Sequence, residues 1–274
     1  MILADLHTHT NFSHGADSAP VMQAAAKNKG LAIYGFSEHS PRPRGYSYPS
    51  DYQEKLEAGF SRYISETAAL RRASTPDFAT LLGLEADFIP AEISFSREIT
   101  ESADFDYIIG GLHFQGNWGF DAKAEDWEKL SLKERFACYA RYYEDLARLC
   151  ASGLADIIAH PDLIKIFTPE SFNLWLEKPS SLNLVRAALT EAKSGKVLLE
   201  LSSAGLRKPC REVYPGPKIM EIAADLGLGL SIASDAHAAG QIAHAFAELE
   251  SYARGFGFTG YAVVKKRQTR NFEF

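Results

Sequence analysis

Cysteine is scarce in this chain: three in 274 residues, Cys138, Cys150 and Cys210. They form no close pair of the C-x-x-C kind, so neither a disulfide framework nor a thiolate metal site is expected, and a reducing compartment is. No apolar run approaches the roughly 18 residues of a membrane span. Excess positive charge is missing too: 29 lysines and arginines against 35 aspartates and glutamates leave a net charge of −6. Without a long basic run, nucleic acid is not expected as a partner, because affinity for a phosphate backbone comes from many such contacts. The opening MILADLHTHT turns polar after three positions. It lacks the basic start and apolar stretch of a secretory leader, which makes the cytoplasm the expected setting.

What is present is an ordinary globular composition, 46% hydrophobic and 23% charged, with no Gly/Ser/Pro-rich linker and no internal repeat. Apolar, β-rich runs alternate with helix-patterned segments, the signature of an α/β chain with a mainly parallel sheet. Strands are predicted at Ile2–Leu6, Ile33–Ser37, Thr80–Leu84, Tyr107–Leu112, Asp156–Ala159, Val197–Leu201 and Leu230–Ala233. Helices are predicted at about 18–29, 51–73, 91–103, 131–152, 181–194, 216–226 and 239–254. Residues 1–274 are expected to form one barrel-like domain, with a long connection from Leu163 to Ser180 and an edge strand at Tyr261–Arg267. The segments 131–152 and 239–254 offer faces for a homo-oligomer, although core packing explains their apolar stripes equally well.

The eight histidines are His7, His9, His14, His39, His113, His160, His237 and His244. Most fall at or just past the C-terminal end of a predicted strand, as do Glu85 and Asp235; in a (β/α) barrel that is the face where catalytic residues collect. His7 and His9 are two residues apart and share a side of an extended chain, so both can reach one ion; Asp235 and His237 repeat the spacing. Imidazole mixed with carboxylate suits zinc, manganese or iron, whereas calcium prefers all-oxygen cages. His244, in a predicted helix, is read as a surface or packing residue. Asp5 is expected to orient an imidazole from behind, and Asp17 to satisfy free amides at the helix beginning near Ser18.

These residues resemble the PHP (polymerase and histidinol phosphatase) metal-dependent phosphoesterases, and within them the monofunctional histidinol-phosphate phosphatases. The resemblance rests on DLHTHTNFSHG at 5–15, FSEHSPRP at 36–43, GLEADF at 83–88, GGLHF at 110–114, AHPDLIK at 159–165, ELSSAGLRKPCREVYP at 200–215 and SIASDAH at 231–237. It implies a distorted (β/α)₇ barrel, TIM-like, of the PHP type, holding three divalent ions. His7, His9, Glu85 and Asp235 would hold the first; Glu85 would bridge to a second on His113 and His160; His14, His39 and His237 would hold the third. Phe12-Ser13 stands where the family has Cys-Pro before the loop histidine, and Ala159 where a glycine often precedes the fifth-strand histidine. Neither change removes a ligand.

The expected activity is hydrolysis of a small phosphate monoester, L-histidinol phosphate, in histidine biosynthesis, by a hydroxide shared between two metals. Arg207, in Gly205–Pro209, would make a charge-assisted fork on phosphate oxygens. Lys165, Arg42 and Arg44 also follow barrel strands and would add positive charge. Tyr46, Tyr48 and Asp51 are candidates for recognising the substrate's imidazole and amine. Two alternatives stand beside this: a PHP phosphoesterase acting on nucleotides or other phosphate esters, and a metal-binding module without turnover. The Gly205–Pro209 segment and the acidic balance favour the amino-alcohol phosphate, and the full ligand set favours catalysis.

Overall fold

The computed structural model describes residues 1–48 and 52–274; the candidate Asp51 lies outside them. Short apolar runs become β1 (Ala4–Asp5), β2 (Ile33–Phe36), β3 (Ala79–Asp87), β4 (Tyr107–Gly111), the small hairpin β5 (Phe114–Gln115) and β6 (Trp118–Gly119), then β7 (Ile157–Ile158), β8 (Leu198–Ser202) and β9 (Leu230–Ala233). Seven of these form one sheet in the order β1-β2-β3-β4-β7-β8-β9, every neighbouring pair parallel. The ends of the sheet meet through a parallel bridge from Thr8 to Ala236 and a 2.8 Å bond from His9 N–H to the Ala236 carbonyl. The expected (β/α)₇ barrel is therefore found, nearly closed.

Asp5 helps make that closure. Its buried carboxylate accepts from Ser234 N–H (3.0 Å), Ser234 Oγ (2.6 Å) and Ala243 N–H (3.1 Å), tying β1 to the segment after β9. Burial, which outweighs these donors, raises its pKa to about 6. This corrects the expectation of an imidazole partner: at the first strand of a closing barrel, the nearest unsatisfied donors belong to the last.

The crossovers carry α1 (Ala19–Asn28), α2 (Tyr52–Arg72), α3 (Ile93–Glu101), α4 (Ala124–Glu128), α5 (Leu132–Ala151), α6 (Pro169–Leu176), α7 (Pro179–Gly195), α8 (Pro217–Asp225) and α9 (Phe246–Gly255). Proline opens α1, α6, α7 and α8, where its missing N–H costs nothing. A capping box starts α5: Ser131 Oγ accepts from Glu134 N–H, and the Glu134 carboxylate accepts from Ser131 N–H at 2.8 Å.

Three segments differ from the sequence expectation. The connection 163–180 contains α6, whose Phe172, Trp175 and Leu176 are buried. The last helix starts at Phe246 rather than near 239, because Ala243 and Ala245 both take positive φ (54°) and break the helical path. His244 sits in that turn, exposed. The C-terminal segment does not join the barrel sheet; β10 (Gly260–Lys265) and β11 (Gln268–Glu273) form their own antiparallel hairpin around Lys266 and Arg267, both at positive φ. Asp17 does not cap α1 either; its carboxylate accepts from Ala239 N–H at 2.8 Å. Among the described residues no helix is long and apolar enough to cross a membrane.

Tyr107 of β4 holds the barrel interior together. Its hydroxyl donates to the carbonyls of Leu6 (2.6 Å) and Phe36 (3.1 Å), spanning from β4 to the ends of β1 and β2. Gly35 and Gly83 leave room for it, since a Cβ on either would collide with the phenol. Tyr107→Phe removes the donor from two buried carbonyls and is expected to lower the unfolding free energy by about 1–3 kcal/mol, read from urea unfolding. Gly83→Ala, which overpacks the same space, is expected to cost at least as much. A wild-type midpoint for Tyr107→Phe would remove this clamp from the account.

Candidate metal centre

The strand ends place the donors. His7 and His9 follow β1, His39 follows β2, Glu85 lies near the end of β3, His113 follows β4, His160 follows β7, and Asp235 and His237 follow β9. Glu85 is the junction, because its two oxygens face different imidazoles. Oε2 lies 3.3 Å from His7 Nε2, 3.5 Å from His9 Nε2 and 2.8 Å from His39 Nδ1. Oε1 lies 3.4 Å from His113 Nε2 and 3.1 Å from His160 Nε2. Asp235 Oδ1 stands 3.2 Å from His9 Nε2 and 3.7 Å from His7 Nε2.

Three compact donor groups result: His7, His9 and Glu85; Glu85, His113 and His160; and His9, His39 and His237. A tetrahedral ion with ligand bonds of about 2.0–2.1 Å puts its donors roughly 3.3 Å apart, close to these separations. His7 Nε2, His9 Nε2, His39 Nδ1, Glu85 Oε2 and His237 Nε2 are all buried without a hydrogen-bond partner. Unsatisfied buried groups are costly, and cations shared among these five would satisfy them. The donor set thus fits several divalent ions. His14 is more loosely placed. It is exposed, its ring is 4.2 Å from that of His237, and its Nδ1 bonds Tyr52 Oη at 2.8 Å, which leaves Nε2 free.

A layer of acids behind the imidazoles fixes which nitrogen faces inward. Glu200 Oε2 holds His7 Nδ1 at 2.6 Å while its Oε1 accepts from His160 N–H; Asp87 Oδ1 holds His113 Nδ1 at 2.6 Å; Glu38 lies 3.3 Å from His9 Nδ1 and also accepts from Thr10 and Ser13. The sequence reading missed all three. The available signals were an acid inside the apolar run of β8, an acid two residues past Glu85 on the same face, and an acid beside His39.

The electrostatics suit a site for cations. Burial would raise Glu85 and Asp235, but the surrounding histidines hold both well below the usual carboxylate range. Burial pushes His237 down to about 4, with the neighbouring His9 adding to the effect. His9 and His113 go the other way, to about 9, because Asp235 with Glu38 and Asp87 with Glu85 outweigh burial. Asp235 also takes a positive φ of 48°, a strained state for a non-glycine residue.

The groups open into a cavity of about 450 Å³ walled by Tyr48, Tyr52, Asp121, Leu163, Ile166 and Lys208. Of the cations expected to face phosphate, Arg42 and Lys165 are instead buried against carboxylates. Arg42 Nε bonds Asp87 Oδ2 at 2.6 Å, and Lys165 Nζ lies 2.8 Å from Asp162 and 2.9 Å from Glu212. Unpaired charge is not tolerated at such depth, so both side chains stay with those acids and neither lines the cavity. Arg44 is exposed. Arg207 turns Nη2 to the carbonyls of Ser234 (2.7 Å) and Asp235 (3.1 Å), while its buried Nη1 has no partner. Lys208, passed over in the sequence, lines the cavity.

The sequence model of the PHP domain matches residues 5–204. The "Probable histidinol-phosphatase" of Deinococcus radiodurans is 34% identical over 256 residues, 93% of this chain and 94% of that protein. The histidinol-phosphatase of Bacillus subtilis is 26% identical, covering 88% of this chain and 96% of its own length. The crystal structure of a histidinol phosphate phosphatase from Lactococcus lactis, complexed with zinc, L-histidinol and phosphate, has the same fold. Its TM-score is 0.76 at 16% identity, over 97% of this chain and 98% of that one.

Glu200→Gln, which weakens the hold on His7 and leaves its volume unchanged, is expected to lower zinc affinity about 10- to 100-fold with helix content intact. Competition against a chromophoric chelator measures it, and wild-type affinity would show that Glu200 does not orient a ligand.

Proposed function

The chain belongs to the PHP domain family, and we propose that it hydrolyses L-histidinol phosphate to L-histidinol and inorganic phosphate in histidine biosynthesis. The observation that carries this reading is the sharing of Glu85 between two groups of imidazoles at the floor of one small cavity. The names of the relatives in Deinococcus and Bacillus supply the substrate. Residues 1–274 act here as one catalytic domain on a small monoester. Its setting is the cytoplasm, in keeping with three free cysteines.

In this reading His7, His9, Glu85 and Asp235 would hold one divalent ion, Glu85 with His113 and His160 a second, and His14, His39 and His237 a third. Such ions, zinc, manganese or iron, supply Lewis acidity at the phosphate and make a nucleophile available near neutral pH. Water replaces the alkoxide on phosphorus, and the protein's part is mainly to position and to offset charge. Arg207 is not among the residues lining the cavity, but its buried Nη1 is unpaired and would serve as one donor to a phosphate oxygen, so the fork expected from sequence becomes one contact. The other arm of Arg207 braces the strained turn at Asp235. Lys208 adds positive charge from the cavity wall. Leu163 and Ile166 give the cavity an apolar stretch of wall.

Purified protein is expected to release phosphate from L-histidinol phosphate in preference to generic monoesters and to stop when a chelator strips its metal. Poor selectivity would sink the substrate. Arg207→Ala, losing a charged contact and the brace together, is expected to lower kcat/KM about 10- to 100-fold or more. Retained efficiency would free Arg207 of either role.

A further inference from the structure

One acid on the cavity wall has no part in the metal groups. Asp121 lies just past β6, half-buried, and its Oδ1 accepts from Tyr48 Oη at 2.5 Å. Among the described residues no lysine or arginine pairs with it, and Arg42, which lies over the Tyr48 ring, is matched to Asp87. The metal-facing wall and Asp121 are separated by a row of rings. His237 to His14 is 4.2 Å, His14 to Tyr52 is 5.6 Å and Tyr52 to Tyr48 is 5.7 Å, centroid to centroid. One cavity thus holds the metal-facing imidazoles and, beside these rings, a carboxylate with no cationic partner among the described residues.

The Asp121 end is held firmly. The Arg42 guanidinium lies over the rings of Tyr48 (4.7 Å), Tyr52 (5.4 Å) and Phe114 (5.0 Å), and Asp87 anchors it. Arg42 Nη1 and Nη2 have no hydrogen-bond partner and face these π-systems instead. A continuous chain of contacts therefore runs from His113 through Asp87, Arg42 and Tyr48 to Asp121.

We infer that Asp121 receives the cationic end of the substrate, an ammonium or imidazolium carried a few bonds from the phosphate, and that Tyr48 and Arg42 position it. The inference rests on the monoesterase reading above and adds what selects the alcohol. A ligand with a second anion in place of the cation would set like charge against Asp121 in a confined site.

The test compares metal-loaded wild type, Asp121→Asn, Asp121→Glu and Tyr48→Phe on L-histidinol phosphate, phosphoethanolamine and para-nitrophenyl phosphate. Asp121→Asn is expected to lower the ratio of kcat/KM for the two amines over the nitrophenyl ester by about 10-fold or more, mainly through KM. Asp121→Glu should restore part of the ratio, and Tyr48→Phe should lower it less. An unchanged ratio, or equal losses on all three esters, would overturn the assignment. Should wild type ignore L-histidinol phosphate yet favour phosphoethanolamine through Asp121, the cation site stands and the substrate reading falls. Should it favour L-histidinol phosphate in Asp121→Asn as well, the reverse holds.

Discussion

The site depends on one carboxylate that faces five imidazoles. Glu85 presents Oε2 to His7, His9 and His39 and Oε1 to His113 and His160 from β3, a nine-residue strand between β2 and β4 that continues past its pairing with β2. That length matters in a second way. The same strand carries Asp87 two residues on, so one pleated face delivers both the shared acid and the acid that orients His113.

Gathering so much charge in the interior needs opposing charge of matching depth. The carboxylates beside His9 and His113 raise both to about 9, whereas burial and the neighbouring His9 lower His237 to about 4. The acids behind the ring nitrogens add to the demand for positive charge. Glu38, Asp87 and Glu200 are each buried, and each contacts an imidazole nitrogen of the cluster. The net charge of −6 therefore says little about affinity for phosphate, since the positive charge at the site is to come from metal.

Much of this was legible in the chain itself. The seven sheet strands were readable because buried parallel strands appear as short apolar runs with β-branched residues, and the donors were readable because they follow those runs. Asp5 was misread because its partners, Ser234 and Ala243, lie at the other end of the sequence and no local pattern points to them. Arg42 and Lys165 looked like phosphate contacts because they follow strands. Whether a cation faces solvent or a buried acid depends on residues far away, Asp87 in one case and Glu212 in the other. The C-terminal hairpin was missed for a related reason. Strand propensity shows that Tyr261–Val264 is extended but not which edge it pairs with, and here it pairs with β11 alone.

The misread Arg42 joins the two halves of the cavity. A solvent-facing arginine would be a mobile cation competing for the substrate's phosphate. Buried between Asp87 and three aromatic rings, it is a rigid strut whose charge is already answered. A strut that touches a carboxylate behind His113 on one side and the Tyr48 ring on the other sets the spacing between the metal groups and Asp121. That spacing is a property of packed side chains rather than of loops, and packed interiors change volume reluctantly. The distance from phosphate to cation that this cavity accepts is therefore fixed by the same residues that hold His113 in place. In this arrangement catalysis and selection share one frame, and a substitution at Arg42 cannot loosen one without disturbing the other.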